Sequence, residues 1–279
     1  MTSLARIPVG VPTSCFACIK DNGDNPDEDL SKSDTSIQIH EPGTDKKPKT
    51  YDNLDGIFDF TLDTPEKIFE QMFGSVDASE QSDSIRPPAL KALVEDGVSL
   101  AAFFIGPMNG NKTAFFQGMG ENDHGAIGWT CDQIFNLVSE KEESIDGQYK
   151  ATITVSFYEL YEEVIIDLLE PENNKLDKPR MDSVHGYCVP GMTSKQCKAT
   201  HDIISNIENG RNNRKSQIFS TGPASSSTSA IFELILKQED MENGVMYSKM
   251  MIVEVPGTEK LTLPSDKIRQ KEGPLLSKR

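Results

Sequence analysis

Residues 100–116 read LAAFFIGPMNGNKTAFF, and the order of residue types in this stretch decides the fold. The apolar run Ala101, Ala102, Phe103, Phe104 and Ile105 has the composition of a strand covered on both faces. Gly106, Pro107, Met108, Asn109, Gly110 and Asn111 follow as a loop, and Lys112 and Thr113 open a helix. Strand, loop and helix in that order frame a phosphate-binding loop, because free backbone N–H groups and the helix dipole favour an anion. The pattern G-x-x-x-x-G-K-[ST] is met at Gly106, Lys112 and Thr113, whereas Asn111 stands where the second glycine belongs. In such a loop the lysine reaches the terminal phosphates and the threonine holds Mg²⁺. Asparagine tolerates left-handed backbone best among non-glycine residues, so the exchange weakens the cradle without abolishing it. The bland alternative is an ordinary strand–turn–helix in which Lys112 only caps the loop.

A chain of 279 residues can bury a substantial core, and one domain over 1–279 is expected. No apolar run approaches the roughly 20 residues that cross a bilayer, and MTSLARIPVG lacks a signal-peptide core. A cytoplasmic protein with no membrane insertion is the expectation. The net charge of −16 opposes nonspecific attachment to nucleic acid or acidic membranes, so an acidic partner has to be met by a local basic patch. The segment 260–279 offers one, with six cations against two carboxylates for a net +4, although a solvated tail has the same composition. The five cysteines, an odd number, point to reduced thiols. Cys15 and Cys18 form a C-x-x-C that His185 and Cys188 complete as zinc ligands on paper only, since nothing in the sequence fixes the two pairs near each other.

Taken in order, Ile7–Val11 is a short strand candidate and Cys15–Ile19 a second apolar run, 21–35 and 41–50 are polar surface loops, and Ser36–His40 alternates as an edge strand. Aromatic residues in Leu54–Phe60 mark a return to the core. Thr64 and Pro65 cap and open a helix over Pro65–Phe73, and a second helix, Pro88–Asp96, feeds the strand before Gly106. The spacing predicts a helix over Gly128–Ser139, a strand over Ala151–Leu160, and a short turn or helix over Glu162–Leu169. Val184–Met192 reads as a short strand or hairpin, Lys198–Asn209 as a helix stopped by Gly210, and Gly222–Ser229 as a loop. Asn243-Gly244 joins the strands Ala230–Gln238 and Met246–Val255 as a hairpin. Trp129, Tyr158, Tyr161 and the phenylalanines flanking the loop belong to the core. His124, His185 and His201 have no partner at catalytic spacing. The whole is a mixed α/β architecture.

Four segments in this order resemble the kinesin motor domain family. The loop at Gly106–Thr113 stands where that family carries GQTGSGKT. Ser156–Leu169, SFYELYEEVIIDLL, is similar to S-F-x-E-I-Y-N-E-x-x-x-D-L-L and keeps Ser156, Phe157, Glu159, Tyr161, Glu163, Asp167, Leu168 and Leu169. Ser225–Phe232, SSSTSAIF, resembles switch I, S-S-R-S-H-A-I-F, and Glu254–Glu259, EVPGTE, resembles switch II, D-L-A-G-S-E. Gly210 and Arg214 suit the family's G-x-x-x-R approach to switch I, and Phe58-Asp59-Phe60 its F-D-x-V-F strand. The likeness runs from about Leu54 to Glu272.

The resemblance implies a P-loop NTPase fold with a mixed central sheet flanked by helices, lacking the family's last helices and neck linker. It implies ATP or ADP with Mg²⁺ as ligand, microtubules as partner and a cytoskeletal location. Gly106 to Thr113, Ser225 and Pro12, the remnant of an adenine clamp, stand at nucleotide-binding positions. Thr113 and Ser226 stand at the Mg²⁺ contacts, and Ser226, Gly257 and Glu259 at the catalytic positions. In the family a switch I arginine pairs with the switch II glutamate and closes the site around the attacking water. Here Glu259 is kept and Ser227 replaces the arginine, Glu254 replaces the switch II aspartate, and Pro256 stiffens the loop. Turnover therefore suffers more than binding. Lys260, Lys267, Arg269 and Lys271 stand on the segment similar to the tubulin-docking helix, where Pro274 disturbs any continuation and no lever for stepping follows. The favoured expectation is a diverged, microtubule-associated domain with impaired hydrolysis. A scaffold that binds another protein and no nucleotide, and a conventional microtubule-stimulated ATPase, are the alternatives.

Overall fold

A computed structural model describes residues 16–19, 30–32, 36–39, 47, 49–52, 56–59, 63–74, 89–106, 111–118, 124–145, 148–161, 163–173, 176–216, 218–219, 222–223, 228–241 and 244–257. They fall into two compact units, 1–79 and 80–279.

In the first unit β1 (Phe16–Ile19) and β5 (Gly56–Asp59) pair in parallel. β2 (Leu30–Lys32), β3 (Ile37–Ile39) and β4 (Lys49–Tyr51) form an antiparallel three-stranded sheet. Helix α1 (Pro65–Phe73) begins where Thr64 Oγ1 accepts the Lys67 N–H at 3.4 Å. It ends at Gly74, whose N–H donates to the Glu70 carbonyl at 2.7 Å with φ at 51°. Ile68, Phe69 and Phe73 are its buried face. The strand expected at Ile7–Val11 lies outside the described residues.

The second unit runs α2 (Ala89–Glu95), β6 (Leu100–Phe104), α3 (Lys112–Gln117), α4 (Gly125–Ser144), β7 (Tyr149–Tyr161) and β8 (Val164–Asp167). It continues with β9 (Arg180–Asp182), β10 (Gly186–Cys188), β11 (Lys195–Cys197), α5 (Thr200–Ser216), β12 (Ile218–Phe219), β13 (Gly222–Pro223), β14 (Ser229–Asp240) and β15 (Gly244–Glu254). The central sheet has the order β11-β7-β14-β15-β6, with β8 also on β7. β6 is parallel to β15, and β14 is antiparallel to both of its neighbours, β7 and β15, so the sheet is mixed. Alternation along β7 and β14 sends Val155, Phe157, Leu234 and Phe232 to one face, where Phe157 packs on Phe116 and Phe232 with ring centroids 6.1 and 6.5 Å apart. Tyr158, Ile231 and Val253 cluster on the other face. No described helix is long and apolar enough to cross a membrane.

Three sequence expectations need correction. β6 is not covered on both faces: Phe103 is 59 % exposed while Phe104 packs against Phe115 and Phe116. A continuous apolar run carries no information about which face is covered, and here strand alternation decides it. Residues 164–167 form a strand rather than a turn or helix, folded back on β7 through Glu163 at φ 69°. The β-branched Val164, Ile165 and Ile166 suit that pleat.

Helix α5 also continues through Gly210 instead of stopping there. A Cβ at Gly210 would lie 2.3 Å from Phe157 Cδ1 and 2.8 Å from Cε1, so the glycine permits close approach of helix to sheet. Gly210→Ala is expected to lower stability by roughly 1–3 kcal/mol through overpacking. Urea unfolding measures it, and pairing the change with Phe157→Leu should recover part of the loss, which an effect of helix propensity alone would not allow.

Candidate functional site

The ends of β7, β14, β15 and β6 place Glu159, Ala230, Glu254 and Phe104 in a single row across the sheet. Neighbouring strands are about 4.8 Å apart, so the two glutamates flank Ala230 with roughly 10 Å between their backbones. A methyl side chain between them leaves room for a larger group. Arg214, on the last turns of α5, occupies that place at 2 % exposure.

Its Nη1 donates to Glu254 Oε2 at 2.6 Å and its Nε lies 3.5 Å from Glu159 Oε2. Nη2 reaches the carbonyl and hydroxyl of Thr228 at 3.5 and 3.4 Å. The Thr228 hydroxyl in turn donates to Glu159 Oε2 at 2.9 Å. Glu159, Thr228 and Glu254 are all at 1 % exposure or less. One guanidinium thus serves two buried carboxylates. The balance is incomplete, since Glu159 Oε1 and Arg214 Nε lack a well-aligned hydrogen bond. Burial raises the Glu159 pKa above its usual value, opposed by the Thr228 hydroxyl and Arg214.

The other oxygen of Glu254 leads to the loop. Phe115 and Phe116 anchor α3 on Phe104, and the Val255 N–H donates to the Phe104 carbonyl at 3.0 Å, which brings the first turn of α3 beside the end of β15. There the Thr113 hydroxyl donates to Glu254 Oε1. Lys112 is buried, and its ammonium donates to the Gly106 carbonyl at 2.8 Å, closing the loop across its own ends. Asn111 adopts φ 56° and ψ 14°, the left-handed conformation that a glycine takes without strain.

The groups present fit a phosphate and a divalent cation. A hydroxyl that donates its proton to a carboxylate keeps its lone pairs for a metal ion. The chain can therefore offer Thr113 as a metal ligand without breaking its bond to Glu254. Lys112 stands one loop carbonyl away from the cradle that its charge would serve.

The model of the kinesin motor domain family matches residues 27–278. The chain belongs to the kinesin motor domain family. Among curated kinesins, it is 31 % identical over 129 residues to kinesin-related protein 5 of Dictyostelium discoideum, covering 46 % of this chain and 13 % of that protein. It is 26 % identical over 205 residues to kinesin-like protein KIF18A of Mus musculus, covering 72 % and 22 %. A solved structure of a fast kinesin superposes with a TM-score of 0.71 at 19 % identity, covering 94 % of this chain and 71 % of that one. The motor domain of the Kar3-like kinesin from Ashbya gossypii gives 0.70 at 18 %. The chain thus has the kinesin P-loop NTPase fold, and it spans between 13 % and 25 % of the length of the first curated kinesins that it matches.

Within this kinesin fold the residues named from sequence divide sharply. Gly106, Asn111, Lys112, Thr113 and Glu254 meet at one place, and Gly257 lies half-buried three residues beyond Glu254. Pro12, Pro107, Met108, Asn109, Gly110, Ser225, Ser226, Ser227, Glu259, Lys260, Lys267, Arg269 and Lys271 lie outside the described residues. His185 contacts Asp182 at 3.1 Å and meets the Tyr247 ring edge to face with centroids 5.1 Å apart, away from the loop residues. Two members of the network, Glu159 and Thr228, carried no role in the sequence reading. The signal for Glu159 was present: it shares the inward parity of Val155 and Phe157, and a carboxylate on a core face demands a cation.

Proposed function

We propose that this kinesin-family chain holds ADP or ATP with Mg²⁺ at Asn111, Lys112 and Thr113, hydrolyses it slowly, and associates with microtubules. The left-handed Asn111 carries this reading, because a residue with a Cβ pays to keep the one backbone conformation that lets a loop wrap a phosphate. Lys112 supplies charge and the Thr113 hydroxyl a metal ligand, while Glu254 orients that hydroxyl and Arg214 holds Glu254. Mg²⁺ and nucleotide, when bound, supply the phosphoanhydride and the Lewis acid that polarises it. Slow turnover rests on Ser227, which brings no cation to Glu259.

Titration with fluorescent ADP and Mg²⁺ tests the binding step. Saturable binding weakened about tenfold or more by Lys112→Ala is expected, the order of one charge-assisted hydrogen bond. No saturation up to millimolar ADP would sink the reading. It would favour a second one, a nucleotide-free scaffold for a protein partner, which has its own support: Lys112 is already bonded to the Gly106 carbonyl, and Thr113 and Arg214 to the two oxygens of Glu254. For the microtubule step, Lys260, Lys267, Arg269 and Lys271 are the proposed contacts to an acidic tubulin surface. Co-sedimentation that weakens steeply with salt and is reduced by charge-neutralising changes at these four residues is the expected result. Pelleting that ignores both would place the contact elsewhere.

A further inference from the structure

β6 ends the central sheet: among the described strands it pairs with β15 alone, and its other edge is open. From Leu100 to Ile105 every residue is apolar and none is buried, with Phe103 at 59 % and Ile105 at 66 % exposure. Edge strands of natural proteins are kept from pairing with other chains by charges, prolines or bulges. This one has neither charge nor proline, and the uncharged stretch runs on from Gly97 to Gly110.

The pairing that β6 already has fixes the direction of its backbone groups. The Val255 N–H donates to the Phe104 carbonyl, so Phe104 and, by alternation, Ala102 turn their N–H and C=O groups toward β15. Those of Ala101, Phe103 and Ile105 point out along the open edge. The side chains of the same three residues lie on the face away from Phe115 and Phe116, on which Phe104 packs.

A second copy of the chain complements this edge. Turned about a two-fold axis perpendicular to the sheet at Phe103, the strand lies antiparallel to its own counterpart. Phe103 then stands opposite Phe103, Ala101 opposite Ile105, and Ala102 opposite Phe104. Away from the axis each large side chain meets a small one, and the three outward-pointing residues exchange about six backbone hydrogen bonds. An axis at Ala102 would instead set Ile105 opposite Ser99, whose hydroxyl already accepts the Lys249 N–H at 3.0 Å. Charge favours the same place, because two chains of net charge −16 meet along this stretch without setting like charges face to face.

We propose that this chain self-associates through β6, two copies pairing edge to edge and antiparallel into one continuous sheet with Phe103 on the two-fold axis. The inference stands apart from nucleotide binding. The contact is a single strand long, at the small end of protein interfaces, so the dissociation constant is on the order of 10–100 µM.

Analytical ultracentrifugation of the full chain from about 5 to 300 µM should show a monomer–dimer equilibrium. Phe103→Lys should weaken it about tenfold or more by placing two ammonium groups at the axis. Val164→Lys, at an exposed residue of β8 on the opposite side of the sheet, should leave it unchanged. Added salt should tighten the dimer, because it screens the repulsion between two acidic chains. Under mild oxidation Phe103→Cys should give a disulfide between the substituted positions, located by peptide mapping, since residues paired in this way have Cα atoms about 5.5 Å apart. Ala101→Cys should not, because about four residues of strand, roughly 13 Å, separate it from its counterpart. The two cysteine variants decide the matter if Phe103→Lys does not fold. A monomer throughout, association that survives Phe103→Lys, falls equally in Val164→Lys or loosens with salt, or no disulfide at position 103 would overturn the proposal and leave the edge to a strand of another protein.

Discussion

Replacing Arg214 with methionine is expected to remove roughly 3–5 kcal/mol of folding stability, the largest loss from any single change at the site. The reason lies in what remains. Methionine fills much of the space above Ala230 but leaves Glu159 and Glu254 buried with no cation between them. A buried carboxylate that loses its paired cation is far more costly than the ion pair was ever favourable. Urea unfolding at pH 7 measures the loss, with near-ultraviolet circular dichroism to check the native fold. Adding Glu159→Gln to Arg214→Met should recover part of it, because one of the two stranded charges is gone. If the double variant were no more stable than the single one, charge would not be the cause, and lost packing of the long side chain would explain the effect instead.

The same cluster gives a pH dependence with a definite sign. Burial raises the folded-state pKa of Glu159 above its unfolded value, so the folded chain binds this proton more tightly than the unfolded chain does. The contribution of Glu159 to stability is therefore fully present below the ordinary carboxylate pKa. It is lost as pH rises through the raised value. In Glu159→Gln that slope is absent, so its stability relative to wild type should improve steadily from about pH 4 to pH 7. Denaturant midpoints at several pH values test this, and a difference that is flat with pH would show that Arg214 keeps Glu159 at its unfolded pKa.

Why some of this was legible in the sequence and some was not follows from the range of each interaction. Thr64 and Pro65 start α1 through contacts within one turn, so the cap could be read directly. Asn111 could be read as a left-handed position because backbone sterics are local to the residue. Gly210 was misread for the opposite reason. Its meaning lies in the ring of Phe157, a partner 53 positions earlier that no local rule can supply. The network at Arg214 depends likewise on strand register. Only the pairing of β7 with β14 and of β14 with β15 sets Glu159 and Glu254 on either side of Ala230. The exposed Phe103 shows the limit of composition, since an apolar strand looks the same whether one face is covered or two.

Installing the missing cation, Ser227→Arg, is expected to raise single-turnover ATP hydrolysis by roughly 10- to 100-fold while changing ADP affinity by less than about threefold. In the kinesin pattern this position pairs with the glutamate kept here as Glu259, and that pair closes the site when the water attacks. A contact made only at that stage stabilises the transition state and not the ground state, so its gain belongs in the rate and not in binding. The gain stays below the full value of a transition-state arginine because Glu254 and Pro256 remain. Glu254 holds Thr113 and Arg214 through its two oxygens, and shortening it with Glu254→Asp withdraws at least one of those bonds. Ser227→Arg combined with Glu254→Asp therefore tests whether the chain has adapted around its longer carboxylate. If the pair of changes is slower than Ser227→Arg alone, Arg214 and Thr113 have become fitted to glutamate. If it is faster, the aspartate geometry is still the better one and Glu254 is simply a lesion. If neither variant exceeds wild type, the missing arginine is not what limits turnover, and the damage lies in the loop itself at Asn111.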